Sequence, residues 1–331
     1  MSQFRTTFRI EPSPVRISYQ DPVLFAGSCF SISMGRQFES GRMPVMINPC
    51  GTMYNPVSVL RAVDAVAMNR KYTQGDLYYN DGTWISFDHS TEFSSSDSNE
   101  IIRMIRNSTE EAHLFISRAR FLFVTFGTAR VFRLAENGMI VSNCHKLPQS
   151  RFIHELLTVD EIVDLWIGLL DKLRLLFPEL RVVFTISPVR HWKDGAHGNQ
   201  VSKSVLFVAI EKLLEHPSEP SYFPSYELVM DDLRDYRFYG EDMIHISQAA
   251  VEYIWDAFCH CYFSDTTLEC WNAVEGITRS LSHRIKGNDQ EGVRKYAAAM
   301  LSSIADVEAK HPHVILRDER DYFLSLIEGK R

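Results

Sequence analysis

The sequence predicts an α/β fold in which a mainly parallel sheet lies between two layers of helices. Three short runs are almost wholly apolar, as strands buried on both faces of a sheet are: residues 23–27 (VLFAG), 121–127 (FLFVTFG) and 181–187 (RVVFTIS). Between and after these runs, apolar residues recur at helical spacing. Strands that alternate with helices in this way predict a three-layer α/β/α domain.

The helical pattern starts directly after the first strand, where Phe30, Met34 and Phe38 are spaced as on one helix face. Further helices are predicted at residues 56–70, 99–118, 159–176, 200–215 and 248–260. The helix at 159–176 begins with Thr158 and Glu161, the spacing of a capping box.

The strand pattern stops after about residue 264. The segments 265–285, 289–309 and 319–328 all have helical periodicity. We therefore predict a core domain over residues 1–264 and a helical C-terminal extension over residues 265–331. Capping the crevice, mediating dimerisation and covering an apolar face are the alternatives for its role, and the last is the simplest.

Composition excludes several classes of protein. The 331 residues are 45% hydrophobic, enough for a large core, and a net charge of -7 gives no basic field for nucleic acid or an anionic membrane. The N-terminus lacks the apolar core of a signal peptide, and no apolar run reaches the ~18 residues of a membrane span. We expect a cytoplasmic protein without a cofactor or a metal. Its six cysteines, which form no CxxC pair, are expected to be free thiols.

Polar residues follow each of the three predicted strands. Gly27 and Ser28 end the first, Gly127 and Thr128 the second, and residues 187–191 (SPVRH) the third. The carboxyl ends of parallel strands meet at one edge, where ligands bind in open α/β sheets. Ser28 also lies at the positive end of the following helix, which favours developing negative charge. The same position suits an ordinary helix N-cap, the simpler interpretation of a single serine.

A serine nucleophile needs a base that is oriented by a carboxylate. Asp242 and His245, three residues apart in a turn, could form that pair. The same spacing also suits a loop salt bridge, or part of a metal site with His191. Cys29 offers a thiol beside Ser28, but successive helix residues point about 100° apart, so both cannot face one histidine. We favour Ser28.

Several segments in the same order resemble one family. The matching stretches are GSCFS at 27–31, NPCGTMYNP at 48–56, FGTA at 126–129, NCHK at 143–146, and the longer blocks at 187–206 and 222–247. They resemble the GSCFA family, a branch of the SGNH (GDSL-like) hydrolases. The resemblance implies a flavodoxin-like SGNH-hydrolase fold, with Ser28 as nucleophile, His245 as general base and Asp242 as its orienting carboxylate.

The resemblance also implies an oxyanion hole formed by a serine N–H, a glycine N–H and an asparagine side chain. Ser28 and Gly51 fit the first two positions. Many relatives carry GxND after a strand, whereas this chain has Gly127-Thr128-Ala129 and lacks the asparagine. Asn143 or Thr128 is the candidate replacement. Loss of one such donor costs ~10²–10³-fold in rate in a related enzyme, so this departure bears on efficiency and on the reaction itself.

The expected function is hydrolysis of small acyl esters, acetyl esters among them, with esters on carbohydrate as candidate substrates by analogy. Arg190, His191 and His145 are candidate substrate contacts, although an exposed basic loop and a polar structural role are the alternatives. Two other functions fit the same residues: an O-acyltransferase that uses the same triad, and a catalytically silent binding module. We expect no nucleic-acid or membrane partner, and the oligomeric state stays open.

Overall fold

The computed structural model describes residues 6–281 and 290–329. The chain forms two compact units. The large unit contains residues 6–9, Pro22–Gly35 and Val45–Ala257, and the small unit contains Ile10–Asp21, Arg36–Pro44 and the described residues from Phe258 onward. The division at residue 264 stays a prediction.

The large unit is built on a five-stranded parallel sheet, which confirms the predicted fold class. Its strands are β1 (Val23–Gly27), β2 (Val45–Ile47), β6 (Phe121–Phe126), β10 (Arg181–Ile186) and β11 (Ser221–Phe223), in the spatial order β11-β10-β6-β1-β2. The three apolar runs are its central strands. The edge strands β2 and β11 were missed, because each is only three residues long.

Register aligns the carboxyl ends of the central strands. Gly27 of β1 pairs with Thr125 of β6, which pairs with Thr185 of β10. The polar segments that follow the three strands therefore begin at the same edge of the sheet.

Helices flank this sheet. Those that begin in the large unit are α1 (Cys29–Ser40), α2 (Pro56–Ala67), α3 (Ser98–Ile116), α4 (Val159–Leu176), α5 (Gly195–Leu214), α6 (Ser225–Glu227) and α7 (Gln248–Tyr262). The capping box of α4 is confirmed, since Glu161 N–H donates to Thr158 Oγ1 (3.2 Å) and Thr158 N–H donates to the Glu161 carboxylate (2.7 Å). Trp166 of α4 is fully buried with its ring 5.2 Å from that of Phe184 in β10. Loss of so large a buried ring costs on the order of 3–5 kcal/mol.

Two small antiparallel sheets lie outside the predicted pattern. One contains β3 (Tyr78–Asn80), β4 (Thr83–Ile85) and β5 (Ser94–Ser95), and the other β7 (Arg130–Leu134), β8 (Ile140–Val141) and β9 (Phe152–Leu156). Their strands are short and mix polar with apolar residues, so their sequences give little strand signal.

The small unit contains α8 (Asp265–Leu281), α9 (Gln290–Lys310) and α10 (Arg317–Ile327). Residues 282–285 and 289 of the predicted helices lie outside the described residues. Its core includes Phe38, whose ring lies 5.8 Å from that of Phe263. An ion pair between the exposed Arg42 and the buried Glu319 also contributes, in which Arg42 Nε donates to Glu319 Oε1 at 2.6 Å.

Searching the described part of the chain for a helix that is long and apolar enough to cross a membrane gives none. All six cysteines are free thiols, as expected.

Candidate functional site

The strand order creates a switch point at the carboxyl edge of the large unit's sheet. From β1 the chain adds β2 on one side, then crosses to add β6 on the other. In open α/β sheets, ligands bind in the crevice where the direction of strand addition reverses. Ser28 follows β1 and Thr128 follows β6, so these two predicted site residues flank this position.

Ser28 lies at the junction of β1 and α1. Before it, Gly27 has φ +137°, and a Cβ there would lie 2.1 Å from Thr125 O, so this close strand contact requires glycine. Phe30 N–H donates to Ser28 Oγ (3.3 Å), which is the bond of an N-cap, and Ser28 is only 1% exposed. The hydroxyl hydrogen remains available for donation to a base.

The neighbouring thiol is less reactive than that of an exposed cysteine. Burial raises the pKa of Cys29, which keeps its sulfur protonated.

The loop after β2 is tied to the ends of both strands at the switch point. Gly27 N–H donates to Asn48 Oδ1 (2.8 Å), and Gly127 N–H donates to Tyr54 O (2.7 Å). The Nδ2 of Asn48 is buried and has no partner among the described residues. Buried polar atoms are rarely left unpaired, so this amide is a further candidate donor at the site. The sequence contained Asn48 within a matching stretch, but nothing in the sequence assigned it a role.

Gly51 is required at its position, because its φ is +85° and a Cβ would lie 2.0 Å from Ser90 Oγ. Its N–H donates to Asn48 O at 2.7 Å. The N–H of Ser28 likewise donates to Thr125 O, at 3.2 Å. In this conformation both predicted oxyanion donors bond to the backbone, so an oxyanion must compete with these carbonyls.

The predicted carboxylate–imidazole pair is formed. His245 Nδ1 lies 2.5 Å from Asp242 Oδ2, while Asp242 Oδ1 accepts the N–H groups of Ile244 and His245 at 2.9 Å each. The imidazole bond and then these N–H bonds lower the pKa of Asp242 to about 2. An ionised carboxylate at Nδ1 holds the proton there and leaves Nε2 as the acceptor. In the described part of the chain, no hydrogen bond joins His245 to Ser28.

Two cavities border the segment 190–194, which follows β10. The Asp242 cavity, of about 440 Å³, is lined in part by Arg190, Trp192, Tyr239 and Asp242. The Thr128 cavity, of about 710 Å³, is lined in part by Tyr54, Thr128, Asn143, His191 and Lys193. Successive residues from Arg190 to Lys193 thus alternate between the cavities.

Both candidate replacements for the missing asparagine line the Thr128 cavity. Thr128 Oγ1 lies 2.9 Å from Ser202 Oγ and accepts the N–H of Arg130 (3.1 Å). Asn143 Oδ1 accepts the N–H of His145 (2.8 Å), and its Nδ2 has no partner among the residues described. The Asn143 side-chain amide is therefore a more available hydrogen-bond donor than the Thr128 hydroxyl.

The three predicted substrate contacts lie in different places. Arg190 and His191 line the Asp242 and Thr128 cavities respectively. His145 lies in neither; its ring Nε2 is 2.8 Å from Ser86 O, and it lines another cavity with residues of the β3–β4 hairpin. Burial lowers the pKa of His145 and lowers that of His191 to about 4, so both imidazoles are neutral at pH 7.

Lys203 of α5 is a site residue that sequence reasoning missed. It is fully buried, and its ammonium donates to Gly127 O (2.8 Å) and Ser187 O (2.6 Å), at the ends of β6 and β10. Burial lowers its pKa to about 7. The sequence did contain one signal for its burial. Lys203 lies three residues before Leu206 and seven before Ile210, which places it on the same buried helix face.

The five-stranded parallel sheet and its flanking helices define an α/β protein with polar residues at the carboxyl edge of the sheet. A family model described as the GSCFA family matches residues 22–258, which is more than half of the chain. The chain therefore belongs to the GSCFA family, and that resemblance is confirmed. A search of curated proteins gives no match. Among solved structures, the chain is similar to one described as "a putative platelet activating factor from Streptococcus pneumonia", with 11% identity, 72% of this chain and 82% of that chain covered, and a TM-score of 0.39.

Proposed function

We propose that the protein is a serine hydrolase of the SGNH type that cleaves small acyl esters. The observation that carries the proposal is the Asp242–His245 pair, with 2.5 Å between carboxylate and imidazole. The imidazole is open to ligands, because 59% of its side chain is exposed and no described residue bonds to Nε2. Oriented in this way, His245 has the groups that a general base requires.

Ser28 supplies the nucleophile in this proposal. His245 Nε2 takes the hydroxyl proton as Oγ attacks the acyl carbon, and it returns that proton to the departing alcohol. Water then cleaves the acyl-serine by the same proton transfers. The reaction requires Nε2 to come within about 2.6–3.2 Å of Ser28 Oγ when substrate binds, since such bonds often tighten only in the complex.

The developing oxyanion lies beside the N-terminus of α1, whose helix dipole favours negative charge. The Ser28 and Gly51 N–H groups reach it by exchanging their present carbonyl partners. Asn48 Nδ2 and Asn143 Nδ2, which have no hydrogen-bond partner among the described residues, are the proposed side-chain donors. Either would replace the asparagine missing after Gly127.

A catalytically silent binding module is the second candidate. It is favoured by one observation: Ser28 is 1% exposed and acts as an N-cap without a bond to His245. Such a module would bind acylated small molecules in the cavities but never form an acyl-enzyme.

The test is hydrolysis of 4-nitrophenyl acetate by the purified protein, compared with Ser28→Ala and Cys29→Ala. We expect Ser28→Ala to lose activity, by ~10⁴-fold or more, and Cys29→Ala to retain it. The rate should also fall in acid, because a protonated imidazole cannot accept the serine proton. Addition of sugar acceptors then separates transfer from hydrolysis. Turnover that survives Ser28→Ala but is lost in Cys29→Ala would contradict the proposal, and absence of turnover with acyl-ester binding would favour the silent module.

A further inference from the structure

Three metal-ligating side chains meet in the small unit, away in sequence from the residues discussed so far. Cys270 is on α8, and His311 and His313 follow the end of α9. The thiol sulfur and one ring nitrogen of each histidine all lie within 4.8 Å of one another. Thiolate and imidazole together are the ligand set that suits Zn²⁺ and related borderline metals.

Backbone bonds fix the two histidines on one tight turn. His311 N–H donates to Val307 O (2.8 Å), continuing the helical pattern, and Val314 N–H donates to His311 O (2.8 Å). Pro312 restricts the backbone between the histidines. Val314 is buried and anchors the far end of the turn. Both imidazoles are therefore presented from a short, constrained segment, which limits the entropy lost when a metal binds.

Polar atoms of two of the three residues lack hydrogen-bond partners. His311 Nε2 is buried without a hydrogen-bond partner, and the Cys270 thiol, 1% exposed, has none among the described residues. The nearby Lys310 ammonium is paired with Glu269 at 3.3 Å, which reduces the repulsion of a cation.

Packing explains only part of this arrangement. A buried cysteine can serve as a small apolar residue, and the His313 ring lies 5.3 Å from that of Tyr19. Neither contact explains the buried, unpaired nitrogen of His311, for which a ligand is the direct explanation.

We propose that Cys270, His311 and His313 form a Zn²⁺ site. On binding, the Cys270 S–H proton passes to solvent and an S–Zn bond forms, while each imidazole donates a lone pair. Three protein ligands leave the fourth tetrahedral position for water or another small ligand. His313 is exposed and offers a route by which metal enters. This inference is independent of the hydrolase proposal.

The test uses Co²⁺ as a spectroscopic substitute for Zn²⁺ in the full-length, metal-stripped protein. We expect one equivalent to bind with a thiolate-to-cobalt charge-transfer band and the visible bands of a tetrahedral site, and Zn²⁺ to displace it. Cys270→Ser should abolish the charge-transfer band. His313→Ala, at an exposed position, should weaken Zn²⁺ binding by more than ~100-fold, because loss of a residue that merely supports a metal ligand already costs ~10–100-fold.

Matched controls are Cys261→Ser and His260→Ala, a buried cysteine and an exposed histidine of the same unit. Both variants should bind Co²⁺ as the native protein does. The proposal is overturned if the folded native protein gives no charge-transfer band, or if the band and the affinity survive both Cys270→Ser and His313→Ala.

Discussion

The buried lysine at the edge of the sheet makes a quantitative prediction for stability. Lys203 is fully buried and donates to two carbonyls, at 2.8 and 2.6 Å. Burial disfavours the ammonium, whereas the two carbonyls favour it; burial is the larger effect and lowers the pKa to about 7. The native state should therefore release the lysine proton at a pH where the unfolded chain, with a pKa of ~10.4, still retains it.

The sign and size of the effect follow from this difference. Between pH 7.5 and 9.5 the unfolded state binds nearly one more proton than the native state, so stability rises with pH. One proton corresponds to about 1.4 kcal/mol per pH unit, or about 2–3 kcal/mol over this range. Lys203→Met has no such proton. The stability of the native protein minus that of Lys203→Met should therefore grow by this amount.

Urea unfolding of both proteins across this pH range measures the difference, and other titrating groups cancel in the comparison. Lys212→Met is the control, because this lysine is on the same helix but forms an exposed ion pair with Asp160. The difference in unfolding free energy between Lys212→Met and the native protein should change little over this pH range. A constant difference for Lys203→Met would refute the reasoning, because it would mean that the carbonyls keep the ammonium charged.

Three further predictions concern residues of the candidate site. Asp242→Asn should lower kcat for ester hydrolysis by ~10⁴-fold, because an amide stabilises the wrong tautomer of His245; a loss below ~10-fold would argue against the pair. Gly27→Ala should reduce the free energy of unfolding by about 3 kcal/mol or more, since the new Cβ would meet Thr125 O at 2.1 Å; unchanged urea unfolding would contradict the strand geometry. Burial lowers the pKa of His191 to about 4, so the native protein keeps this imidazole neutral. The unfolded chain takes up this proton below pH ~6.5, so the free energy of unfolding falls between pH ~6.5 and about 4, by up to about 1.4 kcal/mol per pH unit. His191→Phe should remove that loss, and identical acid unfolding of the two proteins would exclude it.

The parts of the fold that the sequence predicts well are those with strong local signals. The central strands are continuous apolar runs because they are buried on both faces, and Thr158 and Glu161 mark the start of α4 by their own side chains. The edge strands and small sheets depend on pairing with distant segments. Residues Val45–Ile47, for example, form a strand through their pairing with β1.

The candidate site shows the same contrast between local signals and long-range contacts. The Asp242–His245 bond joins residues three apart, so local spacing was sufficient to predict it. Lys203 was missed because lysine is expected on the surface, and its burial depends on carbonyls that two separate strands supply. Cys270 was likewise separated from His311 and His313 along the chain, so no short motif indicated that they meet.

The central claim is that His245 activates Ser28. Its most direct test is reaction of the native protein with a fluorophosphonate probe, followed by peptide mass mapping. His245→Ala is compared in parallel with Cys261→Ser, which changes a buried cysteine of the small unit. The account predicts one adduct on Ser28 in the native protein and in Cys261→Ser, and none in His245→Ala. A folded native protein that stays unlabelled at Ser28, or an adduct that forms equally in His245→Ala, would contradict it.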